Sequence, residues 1–304
     1  MKYPLAFSVA LALFAVTGTV RAQDAASQAL TPEQQQAMQQ MQAFWDSLDR
    51  RSGTIALGDD LATLNLPDDF YWLNRQDAIR VLVDVWGNPP EQNESLFGML
   101  FPAKYTPFDE DSWAVTIEYV EDGHVSDSDA ADIDFDGLLA DMQREVRAAN
   151  GDRTAAGYEP IELLGWAEPP HYNTGSHKLY WAKELRFGDS PFTTLNYEIR
   201  ALGRKGFLSM TFVAATEQLA EINQSRETVL SMASFNAGQR YDDFDSNIDE
   251  IAAYGIGALI AGKVAAKAGL LAGGLLLLKK LGVILFLAFA AVGRKLKSMF
   301  ARAT

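Results

Sequence analysis

Lys178-Leu179-Tyr180-Trp181-Ala182-Lys183-Glu184-Leu185-Arg186-Phe187, followed by Thr194-Leu195-Asn196-Tyr197-Glu198-Ile199-Arg200-Ala201-Leu202, decides the fold. Both stretches read as strands. Two more flank them, Ile161 to Trp166 and Gly206 to Ala214, with turn residues between at Pro169-Pro170, Gly188-Asp189-Ser190-Pro191 and Gly203-Arg204-Lys205-Gly206. Four consecutive strands with short turns predict an antiparallel meander.

Working outward, Trp113, Val115, Ile117 and Tyr119 alternate with Ala114, Thr116 and Glu118, as in a strand with one buried face. Thr54 to Leu57 and Leu61 to Leu66, split by Gly58-Asp59-Asp60, predict a hairpin. Asn74 is placed to cap a helix through Ala78, Ile79, Leu82 and Val85 that stops at Gly87-Asn88-Pro89-Pro90. Asp136 to Asn150 and Glu217 to Phe235 carry helical spacing. Thr31-Pro32-Glu33 has a capping residue followed by proline at the first helical position. Grouped strands with a few flanking helices predict an α+β fold: an antiparallel sheet with flanking helices, plus a C-terminal transmembrane or membrane-associated helix.

The two ends read differently from the middle. Lys2, the apolar stretch Leu5 to Val16 and Val20-Arg21-Ala22 form the pattern of a cleavable signal peptide over residues 1–22. Residues 23–52 then read as an N-terminal tether and helix, and residues 53–249 as the folded α+β domain, expected in the periplasm. Residues 250–304 read as a membrane anchor with a basic tail, Arg294-Lys295-Leu296-Lys297 through Arg302. The apolar runs 268–278 and 281–293 are each shorter than the ~20 helical residues that a bilayer needs. One span must therefore bury Lys279 and Lys280, or two helices must lie in the interface. The basic tail places the C-terminus in the cytoplasm and the protein in the bacterial inner membrane. Gly269 and Gly273 have the spacing that lets membrane helices approach closely, which makes self-association an expectation beside contact with membrane lipid.

Composition excludes several classes of function. A formal charge of −14 repels phosphate backbones, so nucleic acid is not an expected partner. With no cysteine there is no thiolate catalysis and no thiolate metal site. Asp132, Asp134, Asp136 and Gly137 begin like a calcium loop, but Gln143 stands where a bidentate glutamate belongs, so the acidic run reads as a helix cap. The three histidines, His124, His171 and His177, lack zinc-site spacing. No metal and no cofactor is expected. Arg200, Arg204 and Lys205 read as solvent-facing charges at a hairpin tip.

The most unusual local chemistry is the aromatic hairpin containing Trp166, Tyr172, Tyr180 and Trp181. Aromatic bodies with polar tips suit a binding groove, and the same residues suit a packed core. Gly165-Trp166-Ala167-Glu168-Pro169-Pro170, Leu179 to Leu185, Leu195 to Arg204 and Ala253 to Lys263 together resemble the DUF2167 family of bacterial membrane-anchored proteins of unknown function. That resemblance implies the exported, anchored layout and brings no catalytic residues with it. The order of elements from the meander into the Glu217 helix is also loosely similar to the PsbP type of α+β sandwich.

The expectation for function is therefore an envelope protein whose periplasmic domain binds a partner, such as another envelope protein or a peptide, without catalysis being indicated. The alternative is an envelope hydrolase that uses carboxylates near the aromatic hairpin, such as Glu168 or Glu184.

Overall fold

The computed structural model describes residues 31–86, 95–109, 111–155 and 157–262. The expected signal peptide and the segment from 263 onward, which holds Gly269, Gly273 and the paired lysines, lie outside the described residues. In chain order the elements are α1 (Pro32–Asp46), β1 (Arg50–Arg51), β2 (Gly53–Leu57), β3 (Ala62–Leu66), β4 (Phe70–Asn74) and α2 (Arg75–Arg80). There follow β5 (Leu96–Pro102), β6 (Ala114–Val120), β7 (His124–Ser126), α3 (Phe135–Ala155), β8 (Ile161–Asn173), β9 (Lys178–Phe187) and β10 (Thr193–Leu202). The last are β11 (Phe207–Ala215), α4 (Leu219–Met232), β12 (Ala233–Phe235), β13 (Ile251–Gly255) and α5 (Ile256–Ala261).

The main sheet has eight strands in the order β1-β4-β5-β6-β11-β10-β9-β8, all antiparallel. The expected meander β8 to β11 is there, and a second one, β4 to β6, joins it where β6 pairs with β11. Strands β4 and β5 were not legible as strands because neither alternates: both are buried on both faces. For the same reason β6 departs from the half-buried strand expected of it, with Ala114, Val115, Thr116 and Ile117 all buried.

One face of the sheet packs against α4 and the small sheet β12-β3-β2, through Leu64, Leu66, Trp72, Val115, Tyr197, Met210, Phe212 and Ile222. The opposite face is covered in two separate places. Helices α1 and α2 lie over β4 and β5, with Leu73, Val81, Met99 and Phe101 between. Helices α3 and α5 lie over β8 and β9, with Leu163, Leu179, Trp181 and Ile256 between.

The local signals mostly act as the sequence implies. Thr31 caps α1 in a reciprocal capping box with Gln34, Asn74 caps α2 through the Asp77 amide, and Asp134 accepts from the Gly137 amide at the start of α3. That last bond gives the acidic run its role as a cap. Pro169 and Pro170, expected in a turn, lie inside β8; the turn is at 174–177. β8 is an edge strand with three register shifts, which is where a sheet tolerates prolines. Its remaining backbone groups are shielded by α3: Asn150 bonds both the amide and the carbonyl of Ile161, and Gln143 donates to the carbonyls of Leu163 and Leu164.

Residues 251–261, assigned above to the anchor, are built into the domain. β13 pairs in parallel with β7, and Ile256, Leu259 and Ile260 are buried. The Asp129 carboxylate takes the amides of Ile256 and Gly257, both at 3.0 Å, at the start of α5. Arg204 is likewise not a free tip charge, because its Nε donates to the buried Asp249 at 2.6 Å. No helix among the described residues is long and apolar enough to cross a membrane.

Two predictions follow from this packing. A Cβ on Gly98 would lie 2.2 Å from the Leu73 carbonyl oxygen and 2.3 Å from the Trp72 ring. Gly98→Ala is expected to destabilise the domain by about 3 kcal/mol, read as a lower urea midpoint at unchanged slope. His124 is buried between Tyr241 and Phe244, at 4.2 and 4.1 Å between ring centroids, and burial pushes its pKa down against the opposing Asp127 and Asp249 carboxylates. Below the ordinary histidine range the unfolded chain takes up a proton that the folded one refuses. Stability from this residue is therefore complete above pH ~6.5 and falls as the pH drops, by at most ~1.4 kcal/mol per pH unit. His124→Phe is expected to flatten that part of the profile relative to the parent protein, as measured by urea melts between pH 5 and 7.5.

Candidate functional site

The four aromatic residues of the hairpin do not share one surface. Tyr180 and Trp181 are neighbours in β9, and neighbours in a strand point to opposite faces. Tyr180 faces α4, where the Arg226 guanidinium lies 4.5 Å over its ring and pairs with Glu168 at 3.4 Å. Glu184 points to the same side, opposite Leu195. The two carboxylates considered for hydrolysis are thus on the other face from Trp166 and Trp181, and Glu168 is held by an arginine.

Trp181 is 1% exposed, under α5. The Tyr172 hydroxyl donates to Asp127 at 2.8 Å and lies 3.1 Å from His177 Nδ1. Its pKa is raised, by burial first and then by Asp127. His177 also stacks on Tyr241, whose hydroxyl donates to the Val125 carbonyl. Tyr172 therefore ties the hairpin to the loop after β7, and His177 ties it to the segment before β13. Trp166 is half-buried, with Nε1 directed at the Phe135 carbonyl at 3.4 Å.

Beside Trp166 lies a feature that the sequence did not reveal. Between the α1–α2 cover, which reaches Ala114 and Val213, and the α3–α5 cover, which reaches Val120, Leu202 and Phe207, the middle of β6, β11 and β10 belongs to neither apolar cluster. The register places three cross-strand rows on this strip, with Trp181, Thr116 and Ser209 buried and Trp166, Lys183, Asn196, Glu198 and Arg200 half-buried. The rows are Trp166, Lys183 and Asn196; then Trp181, Glu198, Thr211 and Thr116; then Arg200, Ser209 and Glu118. The floor of this groove between the covers is therefore polar, with two potential cations, Lys183 and Arg200, and two potential anions, Glu198 and Glu118.

Its bonds are unevenly distributed. Arg200 and Glu198 pair at 2.5 Å with side chains 15% and 12% exposed, and Thr211 donates to Glu198 at 2.9 Å. The Arg200 guanidinium also lies 5.4 Å over the Trp181 ring. Arg200 is thus a half-buried floor residue, not the solvent-facing tip charge expected above. Glu118 accepts from Ser95 at 3.1 Å, and its pKa is raised by burial, with Glu198 adding to the shift and Ser95 and Arg200 opposing it. Lys183 is half-buried and has no ion pair or hydrogen bond among the described residues. Burial lowers its pKa, Glu198 opposes the shift and Arg200 adds to it. Asn196 Oδ1 and Arg200 Nε are buried without a partner. Among the described residues no group of three histidine, aspartate or glutamate side chains is placed to hold a metal ion.

The strings quoted for the resemblance fall on the elements that make this groove, β8, β9 and β10, and on β13 and α5 beside it. A family model described as a protein of unknown function (DUF2167) matches residues 49–290. The chain belongs to the DUF2167 family. The match takes in every strand from β1 to β13, so the whole eight-stranded sheet lies within the matched residues. A comparison with curated protein sequences returns no match. Among solved structures, cyanobacterial PsbP (CyanoP) from Synechocystis sp. PCC 6803 is similar at 12% identity, over 62% of this chain and 92% of that one, with a TM-score of 0.33. Similarity at that level says nothing about the function of this DUF2167 protein.

The Arg200–Glu198 pair gives a direct test of the groove's electrostatics. Glu198→Ala leaves a half-buried guanidinium without its anion and is expected to cost about 3 kcal/mol in a urea melt. Glu198→Leu combined with Arg200→Met removes both charges and is expected to recover most of that loss. A double variant as unstable as the single one would mean that the pair is not what holds the floor.

Proposed function

We propose that this DUF2167 protein is a membrane-anchored envelope protein whose folded domain is a periplasmic binding module, with the polar groove between the two helical covers as its binding surface. The observation that carries this reading is the uncompensated Lys183 in a groove floor of mixed charge. A stability-driven sheet face has no use for such a residue, since a desolvated cation without a counter-ion costs free energy. A partner that neutralises it recovers that cost on binding. Recognition is favoured over catalysis by the state of the carboxylates: Glu198 is held by Arg200 and Glu168 by Arg226.

Anchoring and export are supported by the sequence at the two ends, the signal-like residues 1–22 and the apolar, then basic, residues that follow Gly262. Because β13 and α5 belong to the fold, a reporter fusion that probes the folded domain belongs after Gly262. Fusions after Gly262 and after Thr304 are expected to report periplasm and cytoplasm respectively. A cytoplasmic reporter at Gly262 would refute the export half of the reading. For the binding half, native mass spectrometry of the full chain extracted from its membrane is expected to show a bound small molecule. Thr211→Trp, which fills the groove, is expected to abolish it. Identical spectra for the two proteins would remove the groove from consideration.

A further inference from the structure

We propose that the row Trp166, Lys183 and Asn196 binds the carboxylate end of a peptide or N-acylated amino acid. This inference rests on the binding-module reading and specifies its ligand. The charge inventory of the floor leads to a monoanion. Arg200 is engaged by Glu198, and Glu198 also accepts from Thr211. Glu118 lies across β10 and β11 from Lys183, bonded to Ser95, in surroundings that favour its neutral form. Lys183 is the one cation of the floor left without an anion among the described residues.

A doubly charged phosphate would have to approach Glu198 and, when ionised, Glu118 as well. A single carboxylate matches the single free cation and brings less repulsion. Next to Lys183, across the β9–β10 ladder, Asn196 presents a buried Oδ1 without a donor. A ligand that satisfies both groups carries an N–H close to its carboxylate, and the last residue of a peptide has that arrangement. On the other side of Lys183, across the β8–β9 ladder, stands the half-buried indole of Trp166, held by its bond to Phe135. It offers an apolar wall to the side chain or acyl group of the ligand. Binding an anion here also restores the charged form of a lysine that burial drives toward neutrality.

The test titrates the full-length protein in detergent with N-acetyl-alanine and with its C-terminal methylamide, followed by tryptophan fluorescence and by the indole N–H resonance of Trp166. The acid is expected to bind at least tenfold more tightly than the amide, a difference of about 1.4 kcal/mol. Lys183→Met is expected to lose that preference while raising Tm, because a thioether replaces a desolvated cation. A lysine with a purely structural role would lower Tm on removal. Equal binding of acid and amide, or undiminished acid binding in Lys183→Met, would overturn the inference. Absence of acid binding into the millimolar range would overturn it too. A bound small molecule that is lost in Thr211→Trp but carries no carboxylate would overturn the ligand class and leave the binding module standing. No bound molecule and no probe binding would overturn both.

Discussion

The ladder between β6 and β11 is the contact on which the rest of the structure depends. Each of the two meanders is a local structure, built from strands that follow one another in the chain. Only this ladder, from Phe207 opposite Val120 to Val213 opposite Ala114, makes them one eight-stranded sheet. It joins residues nearly a hundred positions apart in sequence, and the loop it closes contains α3 and the whole β8–β10 hairpin stack. The α4 face gains a continuous floor from it, with Trp113 stacked on Phe212 at 5.5 Å and Tyr197 beyond. On the other face it has the opposite effect: the ladder lies midway between two helical covers, each tied to its own meander. The groove is thus a consequence of topology, because two half-sheets that each bring their own helices meet along a polar seam between the two covers.

The polar residues sit on that seam for a physical reason. Alternate residues of β10 face opposite ways, so Leu195, Tyr197, Ile199 and Ala201 are buried beneath α4 while Asn196, Glu198 and Arg200 face the seam. A strand in that position has to be apolar on one side and is free to be charged on the other. The Arg200–Glu198 pair and the Thr211 bond then hold the side chains in place at a desolvation cost that an apolar floor would not carry. Such a floor is held more rigidly than a flexible loop would be, which suits recognition of a small ligand by a few fixed polar groups.

Much of this fold was legible in the sequence, and the misses share a cause. The meander β8–β11, the β2–β3 hairpin, the caps at Thr31 and Asn74 and the helix after Asp134 all come from local signals: turn residues, alternation and capping side chains. β4 and β5 escaped because burial on both faces erases alternation. Pro169-Pro170 was misplaced because a proline pair marks an edge strand as well as a turn, and only the sheet order distinguishes the two. The site was less legible than the fold. Trp166 belongs to the groove, but Tyr180 faces the other way, Tyr172 ties two segments together and Trp181 is core. Lys183, Asn196 and Glu118 come together through cross-strand register, which no single strand's sequence contains.

The parallel pairing of β13 with β7, together with the two Asp129 bonds at the head of α5, has a mechanical consequence. Many anchored domains hang from a slack linker and sample every orientation within its reach. Here the last strand and helix before residue 263 are part of the core, so residues 251–262 hold no slack. A pull applied at Gly262 would load the sheet directly, through the Asp129 bonds to α5 and the pairing of Ile251 with His124.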